Sequence, residues 1–445
     1  MNFGLKLHDF RQRCQKSVLF RRLAGGAFWS LIAALGTNFG NLLTGIILAH
    51  ILGKYTYGQY GMLRTTLNMF IIFSSFSLGA TATKYVAEYR TIDKEKVGRI
   101  IGLSLITVSL LSICFFLICY FGADVLAVKS LNSADMAPSL KIGAWMILFA
   151  VLNSVLTGIL SGFESFSCIA KINFGGAILL VVSSIVGAKF WNLSGALVSL
   201  SIYLAGMILI SIYFLYKELK FYDISIYYKN CFQELSTLLS FSLPTTLGGI
   251  LVTPVLWFGS TMLVKSSAGY DGMAGFDVIN QWKMAVLFIP GILGRIVLPI
   301  LSNLNGSEQK QDYFKVIKIN LIINVGAAIF VAMLLSLASP YILKLYGDKF
   351  TEYTLPFIIM MVGVVFYAAN TIIGQIILSK GLAWWGCLMN IFWAIIFLIA
   401  NYYLVSLQHL GVIGIAWAFL ISYICHTFIQ YLFLYVHFQK EYHSL

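Results

Sequence analysis

The sequence predicts an all-α protein that crosses a membrane about twelve times, and three observations carry that reading. Hydrophobic residues make up 59% of the 445 and charged residues only 11%, against roughly 25% charged in a water-soluble domain. The mean hydropathy is +0.86, so a soluble fold would expose apolar side chains everywhere. The apolar runs are near-continuous over about 20 residues or more, which suits helices crossing a hydrocarbon core, whereas barrel strands alternate over about ten. Lipid offers the backbone no partners, so each run must pair its own amides and carbonyls.

Twelve spans follow in chain order: 24–52, 60–83, 100–122, 139–162, 172–190, 194–216, 237–264, 276–302, 316–338, 354–378, 387–404 and 412–436. The first run is too long for a signal-peptide core and reads as a retained helix. A basic N-terminus (1–23) leads into a first six-helix lobe (24–216). A linker (217–236) joins it to a second lobe (237–436), and a short tail (437–445) follows. With both termini cytoplasmic, inside segments collect Lys84, Arg90, Lys94, Lys96, Arg99, Lys217, Lys220 and others, and positive residues favour that side by about three to one. The net charge of +13 therefore has a topological origin. No nucleic-acid patch is read into it, and the basic N-terminus is expected to rest on anionic headgroups of membrane lipids.

Other functions are excluded by what the chain lacks. There is no GxxxxGK[ST] phosphate loop and so no ATP-hydrolysing motor of that kind. The seven cysteines form no CxxC pair and the six histidines no HExxH, so neither a zinc site nor a disulfide framework is expected. The longest outer loop, Ala123 to Pro138, is too short to house a catalytic domain. A carrier without cofactors is expected, not an enzyme.

Polar stripes mark the expected cavity. At roughly 100° per residue, Arg64, Asn68, Ser75 and Gly79 share an arc of span 2, and Asn38, Asn41, Thr44 and Gly45 share one on span 1. Span 8 groups Asp277, Asn280, Gln281, Lys283 and Arg295, span 4 offers Asn153, and span 10 offers Asn370 and Gln375. A cation near the bilayer centre costs roughly 2.5–3.5 kcal/mol on insertion scales, so it must face protein or water. Two plainer readings stand beside this one: small polar stripes glue membrane helices together, and Arg64 could snorkel to the outer headgroups. Three cations on two corresponding spans favour a cationic, water-filled cavity. Pro244 and Pro254 in span 7 and Pro290 in span 8 remove backbone donors and are expected to act as hinges. A faint echo, GQYGM at Gly58–Met62 and GYDGM at Gly269–Met273, hints that the halves are repeats.

LGATATKYVAEYR (Leu78–Arg90), LGKYTYGQYG (Leu52–Gly61), Pro299 with Leu-Ser just beyond it, and YGDKFTEYTLPF (Tyr346–Phe357) resemble the Wzx-type polysaccharide and O-antigen flippases. Those belong to one superfamily with the multidrug and toxin extrusion antiporters and the lipid II flippase, and the resemblance covers essentially the whole chain. It implies a two-lobed carrier around a central cavity in the bacterial inner membrane. It also implies a cargo, an undecaprenyl-diphosphate-linked oligosaccharide moved to the periplasmic leaflet, and partners such as a polysaccharide polymerase and a chain-length regulator. In the similar lipid II flippases, arginines on helices 2 and 8 line the cavity, which places Arg64, Lys283 and Arg295 as expected diphosphate ligands. Asn38 and Asn41 stand on span 1 where lipid II flippases carry an arginine-aspartate pair, which argues against lipid II as cargo. The sugars would meet Asn38, Asn41, Asn68, Asn153, Asp277, Gln281 and Gln375. Two rivals share some of these features: a cation-coupled multidrug exporter, which wants a buried acid on span 1, and a membrane polymerase or ligase, which wants a large catalytic outer loop.

Overall fold

A computed structural model describes residues 18–287, 290–291, 310–380 and 382–443 of the chain. Helix α1 (Val18–Ser75) has 58 residues and would extend about 87 Å if straight, nearly three times the hydrocarbon thickness. It doubles back at Gly53, whose φ of 72° is open to glycine at little cost. Two spans therefore share one helix label. Its second arm ends at Ser75, because Phe76 and Ser77 take φ of 43° and 49°, and α2 (Leu78–Tyr89) starts afresh. The sequence predicted one unbroken span over 60–83; the structure bends it instead. Ser74 Oγ donates to the Phe70 carbonyl at 2.9 Å and Ser75 Oγ to that of Ile72 at 3.0 Å, back-bonding that loosens and bends helices.

Next come α3 (Lys94–Phe121), whose first turn is capped by Asp93 accepting from the Lys96 amide, the short α4 (Ala123–Lys129) and α5 (Ala137–Gly162). Helix α6 (Phe166–Tyr222) doubles back at Trp191–Asn192. The second lobe holds α7 (Leu235–Gly249), α8 (Val252–Lys265), α9 (Gly269–Val286), α10 (Lys310–Lys344), α11 (Thr354–Ser379), α12 (Ala383–Asn401) and α13 (Gly411–His443). Among the described residues, eight stretches are long and apolar enough to cross a membrane, and two of them, Phe28–Ser75 and Phe166–Tyr222, are each long enough for two crossings. Helices α7 and α8 together make a further crossing in two pieces, and α9 begins the next. This accords with twelve spans in an all-α, multi-pass membrane protein.

The proline expectations divide. Helix α7 runs through Pro244 without a break. Span 7 keeps helical dihedrals through Ile250 and Leu251 and loses the hydrogen bond to the Ile250 carbonyl, whose amide partner Pro254 cannot supply. Helix α9 ends at Val286, the residue whose carbonyl loses its partner to Pro290. The chain at 288–289 and 292–309 lies outside the described residues, and with it Arg295 and Pro299.

Call the end where the described chain begins and ends the terminal end, and the opposite one the far end. At the far end the lobes meet backbone to backbone. A Cβ on Gly58 would sit 1.8 Å from the Tyr270 carbonyl oxygen, and one on Gly61 would sit 3.2 Å from the Asp277 side chain. The two echoed motifs are thus in contact across the lobe boundary. The Tyr270 hydroxyl also donates to the Leu131 carbonyl, and Lys54 pairs with Glu352.

The linker is no loose tether. Its helical approach continues to Tyr222, so the connection spans 223–234, and it lies across a groove in α3 left by Gly98 and Gly102. The Tyr227 amide donates to the Gly98 carbonyl at 3.2 Å, and Arg99 Nε donates to the buried Glu234 at 3.1 Å. A Cβ on Gly102 would lie 2.2 Å from the Tyr227 carbonyl oxygen. Gly102→Leu should therefore lift the strap off α3. Limited proteolysis in detergent should then cut at Lys229 about tenfold faster, the equivalent of roughly 1.4 kcal/mol of local opening; an unchanged rate would show that the groove does not hold the linker.

Candidate functional site

A cavity of about 290 Å³ lies between the lobes, walled by both arms of α1, by α5, by both arms of α6 and by α9. Asn38, Asn41, Thr44 and Gly45 come from the first arm of α1, and Tyr60, Arg64 and Asn68 from the second. The opposite wall is one stripe of α9: Asp277, Asn280, Gln281 and Met284. These sit three to four residues apart, the spacing that stacks side chains on one helical face. Tyr203 and Leu200 from α6 complete the lining.

The centre of the site is an ion pair between the lobes. Arg64 Nη2 donates to Asp277 Oδ1 at 2.7 Å. Asp277 Oδ2 accepts from the Tyr57 hydroxyl at 3.1 Å and from Gln281 Nε2 at 2.9 Å. Gln281 Nε2 also reaches the Tyr57 hydroxyl at 2.6 Å. The guanidinium lies 5.6 Å from the centre of the Tyr60 ring, close enough for a cation–π contribution. Arg64 keeps 22% of its side chain exposed while Asp277 keeps 3%, so the arginine is the member of the pair that a ligand can reach. Two further lining atoms, Asn280 Oδ1 and Thr44 Oγ1, make no hydrogen bond among the described residues. Buried polar atoms usually find partners, so both are suited to a polar ligand.

Arg64, Asn38, Asn41, Asn68, Asp277 and Gln281 thus come together as expected from the sequence. Lys283 does not join them: it follows Gln281 by two residues, about 200° around α9, and buries its ammonium 4.9 Å from the Phe419 ring inside the second lobe. Asn153 is also turned inward, where it accepts from Ser211 Oγ at 3.5 Å between α5 and α6. Gln375 on α11 lies off the lining, its Oε1 without a partner among the described residues. The lining therefore carries one cation and one anion among the described residues, in place of the cationic surface that the sequence suggested. Beside the cavity, the Trp257 indole N–H donates to Thr66 Oγ1 at 3.0 Å and ties α8 to α1. Tyr57 and Tyr60 were missed, although they stand seven and four residues before Arg64 on the same helical face.

Residues 23–305 match the family described as polysaccharide biosynthesis protein. Among curated proteins, the EPS I polysaccharide export inner membrane protein EpsE of Ralstonia nicotianae is 23% identical over 283 residues, covering 62% of this chain and 63% of that protein. Its counterpart in Ralstonia solanacearum is 34% identical over 77 residues, 17% of this chain and 18% of that one. The chain thus aligns with less than two thirds of either relative. Among solved structures, an inward-facing multidrug resistance MATE transporter of the MOP superfamily superposes with a TM-score of 0.79 at 17% identity, over 92% of this chain and 98% of that one. A MOP superfamily transporter from Pyrococcus furiosus, described as having a binding pocket of reversed polarity, gives 0.66 at 16% identity over 93% and 94%. These likenesses establish the fold.

Removing one partner of a buried pair strands the other charge, at a cost of about 3–5 kcal/mol. Arg64→Ala should accordingly lower the melting temperature of the purified protein. The Arg64→Ala, Asp277→Asn double variant should recover much of the loss, since a neutral amide at position 277 would keep a partner in Tyr57 or Gln281. Additive losses in this double-mutant cycle would show that the pair is not coupled.

Proposed function

Because the chain belongs to the polysaccharide biosynthesis protein family, we propose that it is a flippase for undecaprenyl-diphosphate-linked oligosaccharides, carrying them from the cytoplasmic to the periplasmic leaflet of the bacterial inner membrane. The observation that carries this reading is the reachable guanidinium of Arg64 in an amide-lined cavity between two lobes. A diphosphate offers dense negative charge and oxygens that a guanidinium fork binds through paired hydrogen bonds. Asn38, Asn41, Asn68, Asn280 and Gln281 present the amide donors and acceptors that sugar hydroxyls need. The polyprenyl tail stays in lipid while the polar part enters sideways. The related EpsE proteins carry export of a polysaccharide in their names, which agrees with this cargo.

With the termini cytoplasmic, as the distribution of Lys and Arg indicates, the far end faces outward. The contacts of Gly58 with Tyr270 and of Lys54 with Glu352 then close the outer side, and the cavity belongs to an inward-facing state. Export of negative charge across an inside-negative membrane is favoured by about 2.3 kcal/mol per charge per 100 mV. Removal of the product by a downstream polymerase or ligase pulls the exchange further, so no nucleotide is required.

Asp277 in the lining favours one second reading, a cation-coupled exporter of the same fold. Its carboxylate is already engaged by Arg64, Tyr57 and Gln281, which leaves less for a cationic drug than Arg64 leaves for an anion. The deciding experiment uses cells lacking the gene and asks which leaflet holds the lipid-linked oligosaccharide, by its access to an externally added glycan-modifying enzyme. Completed units should accumulate inside and be exposed on complementation. Arg64→Ala should cut the exposed fraction at least tenfold, about 1.4 kcal/mol, and Arg64→Lys should lie between, having charge without the fork. Full export by Arg64→Ala would overturn the reading.

A further inference from the structure

The ion pair that joins the lobes is also the group that meets the cargo. We propose that Asp277 occupies the place of a substrate phosphate: its bond to Arg64 latches the far end shut, and an arriving diphosphate headgroup opens it by taking the guanidinium over. The inference rests on the flippase reading of the cavity and adds to it the coupling between cargo and gate.

Four observations support it. The pair spans the lobe boundary, Arg64 on α1 and Asp277 on α9, at 2.7 Å. It sits where the backbones approach most closely, with Gly61 against Asp277 and Gly58 against Tyr270 about one to two turns further out. Any rotation that opens the far end must part the two residues. Arg64 engages the carboxylate through a single nitrogen, and its remaining contact in the pair's surroundings is with neutral Tyr60, which a second oxyanion can outcompete. Finally, the exposures differ: both residues line the cavity, but cargo there meets more of Arg64, 22% exposed, than of the carboxylate, 3% exposed.

The chemistry then sets the direction. A diphosphate carries more charge than a carboxylate and fills the guanidinium fork with two bonds. Once it does, Asp277 is left with Tyr57 and Gln281, two neutral donors, and faces a like charge in a low-dielectric setting. Separation of α9 from α1 relieves both. The outer pair, Lys54 with Glu352, has a carboxylate side chain that is 57% exposed, and exposed pairs hold little. The inner pair is the latch.

The test is a distance measurement on the full chain in lipid nanodiscs. Spin labels go on Lys129→Cys and Lys349→Cys, exposed residues at the far ends of the two lobes, in a background with the native cysteines replaced. The parent should give a short distance. Undecaprenyl diphosphate should raise the ratio of long to short populations about tenfold or more; inorganic pyrophosphate should act in the same direction if the headgroup alone suffices, and neutral undecaprenol should do nothing. Asp277→Asn should show the long population without any lipid. The exchanged pair Arg64→Asp, Asp277→Arg should return to the short one, which also shows that these variants fold. If Asp277→Asn keeps the parent's short distance, the latch is overturned. If lipid binding, followed by fluorescence quenching, is lost in Arg64→Ala while the parent's distances stay unmoved at saturation, the latch alone falls. If Arg64→Ala binds the lipid as tightly as the parent, the cavity reading falls with it.

Discussion

A carboxylate with 3% of its side chain exposed, in a protein that is itself surrounded by lipid, is costly to leave without a partner. Asp277 finds it across the lobe boundary, and much of the central architecture follows from keeping that contact. Arg64 can reach it only because Gly61 lets α1 lie directly against the Asp277 side chain. Tyr57 and Gln281 are placed to satisfy its second oxygen, and Gly45 leaves room for Gln281, whose Oε1 would be 2.2 Å from a Cβ there. Gly45, Tyr57, Gly61 and Arg64 all belong to α1, so both arms of one helix are committed to a single side chain of the other lobe. Hydrophobic burial cannot impose this register, because lipid tails are as apolar as the helices they surround; polar satisfaction and close packing must.

The two lobes repeat a backbone plan more clearly than a sequence. Gly53 turns the first hairpin at φ 72°, and Gly269 turns the corresponding one at φ 54°. The hairpin of α6 reverses at Asn192 with φ 52°, and its counterpart in the second lobe reverses before Gly411 with φ 55°. GQYGM lies on GYDGM across the lobe boundary, with Gly58 against the Tyr270 backbone. The resemblance of those five-residue motifs is slight because only the small residues at the crossing are constrained. The linker is bound to the first lobe through Gly98, Gly102 and Arg99. The connection is thus packed as part of the first lobe, and the left-handed backbone at Phe76–Ser77 lies elsewhere, between α1 and α2.

The spans were legible in the sequence because length and hydropathy are one-dimensional properties, and the same is true of the stripe on α9. Helical periodicity placed Arg64 and Asn68 on one face and Asn38 and Asn41 on another, and both faces do line the cavity. What the sequence could not supply was partnership. Asp277 is 213 residues from Arg64, and no local pattern reports which span packs on which. Lys283 shows the complementary failure: its neighbours in sequence line the cavity, yet a broad polar arc on a helix buried on all sides does not say which edge faces water. The bend after Ser75 was hidden for another reason. Neither Phe76 nor Ser77 signals a left-handed backbone by type, and only the serine run ahead of them offered a clue.

If the cavity carries a diphosphate, as proposed, the protein must also return empty, and this bears on why an anion site should contain an acid. A cavity of unpaired cations would bind a diphosphate strongly, but without cargo it would leave buried charge uncompensated, at several kilocalories per ion. The protein would then be most stable with cargo bound and would release it slowly. On the flippase reading, Asp277 lowers the energy of the empty state by neutralising Arg64 when no phosphate is present. The cargo's net gain becomes the difference between two charge-assisted pairings rather than the whole of one. Such a difference is small enough for release and still large enough to select an anion. On that reading the near-neutral lining is what allows the site to turn over.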